Sequence, residues 1–107
     1  MDPSTFKRLI EDSVVNKLKT IYDPEIPVNI YDLGLIYEIR VDENNKVFVR
    51  MTLTAPNCPV AESLPVDVKD SIAMINGING CDVEVVFDPP WDKEMMSEEA
   101  KLELGFL

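Results

Sequence analysis

The chain has 107 residues, of which 46% are hydrophobic and 28% are charged. That length and composition are typical of one soluble domain with a single core. Its 20 acidic and 10 basic residues give a net charge of −10, which repels phosphate backbones and anionic membrane surfaces. Nucleic acid and membranes are therefore poor partners, whereas proteins, cations and metal centres remain candidates.

Two further absences narrow the function. The sequence contains no histidine, so the commonest general base and a frequent metal ligand are missing. It also has no apolar run of membrane-spanning length, and its N-terminus MDPSTFKRL is unlike a signal peptide. We expect residues 1–107 to form one cytoplasmic domain, in which Cys58 and Cys81 stay reduced.

The first predicted element is a helix that starts at Asp2-Pro3 and ends before the two prolines of YDPEIP, residues 22–27. Its apolar residues recur at spacings of three and four over about five turns. They are Phe6, Leu9, Ile10, Val14, Leu18 and Ile21.

A β-hairpin is predicted next, because apolar and polar residues alternate in 35–41 and again in 47–53. The connecting DENNK, residues 42–46, contains asparagines that tolerate left-handed backbone angles. One face of the first strand is expected to carry Leu35, Tyr37, Ile39 and Val41.

A second helical pattern follows Cys58 and runs to Ile75. Because Pro65 falls inside it, this helix either kinks there or begins near Ser63. NGING stops it, and CDVEVVF, residues 81–87, predicts a third strand. A short last helix is expected between an N-cap at Ser97 and Gly105.

This order of elements predicts an α+β domain in two layers, with two long helices packed on one face of a small, mainly antiparallel sheet. The opposite face of the sheet would meet water, the C-terminal tail or another subunit.

Cys58, in the stretch TAPNCPV, is the residue of greatest chemical interest. Pro59 restricts the residue before it, so Asn57 or Cys58 is predicted to cap a helix that starts at Pro59. The positive end of that helix would favour the thiolate, which could act as a nucleophile or bind metal. The alternative is a small buried hydrophobe.

Acidic and hydroxyl side chains could support this thiol. Asp23, Glu25 and Asp32 crowd the proline-rich loop, and their charge would raise the pKa of the thiol if the loop folds against it. Their alternative role is ordinary turn chemistry. Thr52 and Thr54 lie two apart on the strand that leads to the cysteine, so their hydroxyls are expected to share a face.

Four other residues are expected to pack or to dock rather than to carry chemistry. Cys81 is predicted to be a core residue at the start of the third strand. Trp91, Met95 and Met96 are predicted to form either an apolar lid over the sheet or a patch that docks a partner.

Several stretches together resemble the SufT/PaaD-type family of metal–sulfur cluster assembly domains. They are DPEIPVNIYDLGLIYEIRV, MTLTAPNCP, DPPW and the tail ending in LELG, and they span nearly the whole chain. The resemblance implies an α+β fold of the iron–sulfur assembly class. It also implies a role in iron–sulfur cluster maturation or carriage, together with assembly proteins and client apoproteins, rather than classical catalysis.

The resemblance also assigns residues by motif. The family's motif cysteine matches Cys58, which would be the transient metal ligand. The other matches are the acidic loop (Asp23, Pro24, Glu25, Asp32), the threonine strand (Thr52, Thr54) and the tail signature (Asp88, Pro89, Pro90, Trp91). The chain lacks the cysteine-bearing C-terminal extension of the PaaD branch and the P-loop of relatives fused to an ATPase. Both differences favour a stand-alone SufT-like member.

One motif cysteine limits how such a role can work, because iron–sulfur clusters ordinarily take four thiolates. A labile cluster could be shared across a homodimer or completed by a partner or small thiol, with none tightly bound. Alternatively, the protein is an adaptor that binds no cluster. A cysteine-dependent enzyme with Asp32 or Glu25 as base is disfavoured, because no imidazole is available to it.

Overall fold

The computed structural model describes residues 3–23, 26–54 and 63–105. In chain order these form α1 (Pro3–Leu18), β1 (Ile36–Val41), β2 (Lys46–Met51), α2 (Leu64–Ala73), β3 (Gly80–Val85), a 3₁₀ turn (Lys93–Met95) and α3 (Glu98–Glu103). The predicted α+β class is confirmed. Within these ranges, no helix combines the length and the apolar character needed to cross a membrane.

The three strands pair in the order β1-β2-β3. β1 and β2 form the predicted antiparallel hairpin, whereas β2 and β3 run parallel, so the sheet is mixed rather than mainly antiparallel. Parallel neighbours need a long crossover connection, and the segment that contains α2 supplies it.

The hairpin turn has the predicted left-handed residue, because Asn45 has φ 61°. The turn is held by Asp42, whose Oδ1 accepts the backbone N–H groups of Asn44 at 2.8 Å and Lys46 at 2.9 Å. The short acidic side chain thus replaces ladder hydrogen bonds where the chain reverses.

A β-bulge in β1 changes the predicted alternation. Ile36 pairs with Met51, and the register then shifts before Glu38, which leaves Tyr37 as the extra residue. The predicted alternation, which put Tyr37 on one face with Leu35, Ile39 and Val41, is therefore interrupted at Tyr37. Its hydroxyl instead donates a hydrogen bond of 2.7 Å to the carbonyl oxygen of Pro89.

The core lies between the sheet and the two long helices. β2 contributes Val47, Val49 and Met51, which are all 0% exposed. The helices contribute Ile10, Val14, Leu18, Leu64, Val68 and Ile72. Helix α1 ends at Leu18, about one turn earlier than predicted, and Phe6 and Leu9 of its predicted apolar face remain exposed.

The later elements agree with their sequence signals. Helix α2 begins at Leu64 with Pro65 in its first turn, where the missing proline N–H costs no helical hydrogen bond. This matches a start near Ser63, whereas a kink at Pro65 would need helical residues in 55–62, which lie outside the described ranges. Ser97 Oγ caps α3 by accepting the N–H of Ala100 at 3.1 Å.

We expect Val49→Ala to lower the free energy of unfolding by about 2–3 kcal/mol, because it removes two fully buried methyl groups and leaves a cavity. The matched control is Val66→Ala, which deletes the same atoms from a side chain that is 57% exposed and should change stability by less than about 0.5 kcal/mol. Urea unfolding measures both variants, and equal losses would contradict this description of the core.

Candidate functional site

The chain after β3 crosses the sheet on the face opposite the helices, here called the open face. The N–H of Val86 donates to the Met51 carbonyl at 2.9 Å, which holds the chain beside β2. By Pro89 it has reached Tyr37 of β1, and the Trp91 indole N–H donates to the Leu33 carbonyl at 2.7 Å. We call residues 86–97 the strap.

The far end of the strap is held as firmly. The backbone N–H of Ser97 donates to the carbonyl oxygen of Asp32 at 2.7 Å. Gly34 lies directly against Met95: a Cβ at position 34 would overlap the Met95 carbonyl, and the φ of +85° also favours glycine. The strap therefore contacts three consecutive residues, 32 to 34.

Asp32 itself is half-buried and engaged on both sides. Its Oδ2 accepts the side-chain N–H of Asn29 at 2.8 Å, and its backbone N–H donates to Asn29 Oδ1 at 2.8 Å. Asp23, the other described acid of this loop, is 5% exposed, and its Oδ1 accepts the N–H of Ile26 at 3.1 Å. Pro24 and Glu25 lie outside the described residues.

The two threonines follow β2 rather than lying within it, since the strand ends at Met51. Thr54 is half-buried, and Thr52 is 0% exposed. Alternation from Met51 directs Thr52 toward the open face. The strap crosses that face near this end of β2, where Asp88, Pro89 and Arg50 line one cleft.

The Thr52 hydroxyl is chemically unusual. It has no hydrogen-bond partner in the part of the chain that the structure describes, although the Thr52 backbone N–H donates to Leu35 at 2.8 Å. Leaving a buried hydroxyl unpaired costs about 1–3 kcal/mol. Thr52 is therefore a candidate to contact a further group at this site.

The rest of the open face is a ladder of charges. Arg50 lies between Glu38 and Glu84, with N–O distances of 3.4 and 3.5 Å. Arg40 and Arg50 both lie over the ring of Phe48, at 4.8 and 5.8 Å from its centroid. Because its charges pair with one another, this part of the sheet is a solvated surface rather than an apolar interface.

The ladder ends in an exposed ion pair between Lys46 and Asp82, with an N–O distance of 2.9 Å. The hydrogen bond and the attraction between the charges raise the pKa of Lys46 and lower the pKa of Asp82. The pair lies at the hairpin end of the sheet, opposite the end that carries Thr52.

Cys81 is 4% exposed in β3, so its prediction as a core residue is confirmed. Burial, with a contribution from the charge of Asp82, raises the pKa of this thiol to about 11. It is therefore a neutral thiol near pH 7. Cys58 lies outside the described residues, so its helix-cap position and its distance to the acidic loop stay predictions.

The described residues do not by themselves form a metal centre, since no three of their cysteine, aspartate and glutamate side chains come together. Asn29, Tyr37 and the Leu33 carbonyl, which fix the acidic loop and the strap, were missed by the sequence reasoning. Among the residues that hold the strap and the loop together, only Gly34 in YDLGL and Trp91 in DPPW stand out in the sequence.

Comparison with known proteins agrees with this architecture. Residues 11–85 match the model of the family described as iron–sulfur cluster assembly protein. A crystal structure of a domain of unknown function (DUF59) from Bacillus anthracis superimposes with a TM-score of 0.88 at 37% identity, covering 97% of this chain and 99% of that one. The chain therefore belongs to the iron–sulfur cluster assembly protein family, as its sequence predicted.

Two curated relatives extend the match. The Fe-S protein maturation auxiliary factor of Porphyromonas gingivalis is 54% identical over 91% of this chain and 92% of the relative. The Fe-S protein maturation auxiliary factor SufT of Staphylococcus aureus is 41% identical over 79% of this chain and 97% of the relative. The predicted SufT-like membership is thus confirmed.

The two cysteines should differ sharply toward alkylating reagents. At pH 7.5 only about one in 3,000 Cys81 thiols is ionised if its pKa is about 11, so Cys81 should not react in the folded protein. We expect mass spectrometry after brief iodoacetamide treatment to find one modified site, Cys58. Cys58→Ser should remove that modification and Cys81→Ala should keep it, whereas labelling of Cys81 in the native state would contradict its assigned environment.

Proposed function

We propose that this protein is an iron–sulfur cluster maturation factor that carries a cluster briefly on Cys58 and passes it to client apoproteins. The observation that carries the proposal is the state of the second cysteine. Because Cys81 is buried with a raised pKa, Cys58 is the thiol left to the chain for binding iron. The curated relatives, both named as maturation factors, support the same role.

The cluster is cargo rather than a resident cofactor. With one thiolate per chain, the remaining iron positions are filled by a second copy in a homodimer, by a small thiol or by a partner protein. Transfer proceeds by ligand exchange without net oxidation: a client thiol loses its proton and binds iron, and the Cys58 thiolate leaves and can take up a proton. We therefore propose that the protein is a carrier and not an enzyme.

The acidic loop and the threonines serve that exchange. Thr52 has a buried hydroxyl without a described partner, which makes it available to donate to a thiolate or a cluster sulfide. We assign the same supporting role to Thr54. We assign to Asp23, Glu25 and Asp32 the role of placing negative charge near the thiol, which would raise its pKa and weaken retention of the cluster, itself an anion. Both effects favour release.

Docking to clients and assembly proteins is assigned to the outside of the strap. Asp88, Pro89 and Pro90 are exposed, with Trp91 anchoring them from beneath. Beside them lies a cleft of about 510 Å³ between the strap and the sheet, lined in part by Tyr37. The same surface favours the second candidate function, an adaptor that binds client and assembly proteins but no cluster.

Anaerobic reconstitution with iron and sulfide separates carrier from adaptor. We expect wild type and Cys81→Ala to bind both and to transfer the cluster to apo-ferredoxin, as followed by visible circular dichroism. Cys58→Ser should bind at least about tenfold less iron and sulfide than wild type, because losing a direct ligand costs at least as much affinity as losing an outer-shell partner. Equal loading of Cys58→Ser would remove the thiol from the mechanism, whereas loading of none of the three would favour the adaptor.

Removing one charge from the strap tests whether clients dock there. Asp88→Asn should weaken binding of a client apoprotein about two- to fivefold at low salt, as expected when an exposed ion pair is lost, and less at high salt. Glu103→Gln removes the same charge from an exposed position of α3 outside the strap and is the matched control. Equal effects of the two variants would indicate general attraction to an acidic protein rather than docking at the strap.

A further inference from the structure

The strap does more than cover the sheet. We propose that Gly34 and Trp91 are positioning residues, which hold the strap so that it fixes Asp32 and encloses Thr52 for cluster transfer. This inference rests on the proposed function. It assigns a task to residues 86–97, which lie beyond the part of the chain that matches the family model.

The first step is the local geometry of the loop. The strap reaches three consecutive residues: the N–H of Ser97 bonds the carbonyl of Asp32, the indole of Trp91 bonds the carbonyl of Leu33, and Met95 lies against Gly34. Both bonds measure 2.7 Å and use backbone oxygens of the loop. The peptide units around Asp32 are thereby fixed.

The second step is the carboxylate. Ser97 holds the backbone carbonyl of Asp32, and Asn29 binds both the Oδ2 and the backbone N–H of Asp32. With its carboxylate bound by Asn29 and its backbone bound by Asn29 and Ser97, Asp32 has little freedom to follow a ligand. Movement of the strap would therefore move the negative charge of Asp32 relative to the thiol it is proposed to assist.

The third step extends the inference to Thr52, which we place beneath the same strap. Its hydroxyl is fully buried at the end of β2, where the chain from Val86 to Pro89 crosses the open face. Lifting the strap would admit water to this hydroxyl, which would then have a partner other than the cargo. One displacement thus affects the carboxylate and the hydroxyl together.

Gly34 offers a way to displace the strap with a single methyl group. In Gly34→Ala the new Cβ overlaps the Met95 carbonyl, so the strap must move. Gly77→Ala is the matched control: its φ of +93° imposes similar backbone strain, but its Cβ meets only Phe6 Cζ, at an ordinary 3.8 Å. Trp91→Phe keeps an aromatic ring and removes the indole N–H, and it serves if Gly34→Ala fails to fold.

Hydrogen exchange measured by NMR reports the geometry without any cluster. We expect the Ser97 amide to exchange about tenfold faster or more in Gly34→Ala and Trp91→Phe than in Gly77→Ala, because local opening of the strap frees that N–H. The side-chain amide resonances of Asn29 should shift in the same two variants. Unchanged Ser97 exchange in both would overturn the proposal.

Cluster transfer reports the function. At saturating concentrations of apo-ferredoxin, Gly34→Ala and Trp91→Phe should transfer about tenfold more slowly than Gly77→Ala, since misplacing a group at a reacting centre costs at least that much. If saturating apo-ferredoxin restores the transfer rate of the two variants, only docking is affected, which counts against positioning. A transfer rate equal to that of Gly77→Ala would also count against it. Wild type that transfers no cluster would defeat the proposed function, and the positioning role with it, whereas active wild type with unaffected variants would defeat positioning alone.

Discussion

The pairing of β2 on both of its edges is the constraint on which the other features depend. Val47, Val49 and Met51 anchor one face of this strand in the core, and β1 and β3 hold its two edges. Its end cannot shift without breaking an antiparallel and a parallel ladder at once. The chain therefore leaves the sheet at a fixed point, which sets where Thr52 lies and where the segment toward Cys58 begins.

The open face at that end carries the buried Thr52, and the strap crosses the sheet nearby. Elsewhere the open face carries charges that pair with one another and that water can solvate, such as Arg50 between Glu38 and Glu84. Thr52 has neither a described partner nor contact with water, so its burial has to be compensated by the contacts around it. The strap itself is held to the rest of the fold by the hydrogen bonds from Trp91 to Leu33 and from Tyr37 to Pro89.

Periodicity and capping predicted the elements well but not how they assemble. The hairpin, the start of α2 and the cap at Ser97 follow from local chemistry that the sequence displays. The parallel pairing of β3 depends on the crossover, whereas its alternating residues are more typical of an antiparallel strand. The strap binds backbone oxygens, such as those of Asp32 and Leu33, and a carbonyl group has no signature in a sequence.

The contrast between the two cysteines bears on how firmly the protein would hold the cluster that we propose it carries. β3 keeps Cys81 protonated in the core, so this chain supplies iron with one thiolate at most. Four thiolates on a rigid scaffold would retain a cluster, whereas with one, most of the iron–thiolate bonds belong to whichever partner is present. On the proposed function, client thiols would replace the partner's thiols one at a time, and Cys58 would leave the iron last. Weak retention of the cluster is, on this proposal, what separates a carrier from a storage protein.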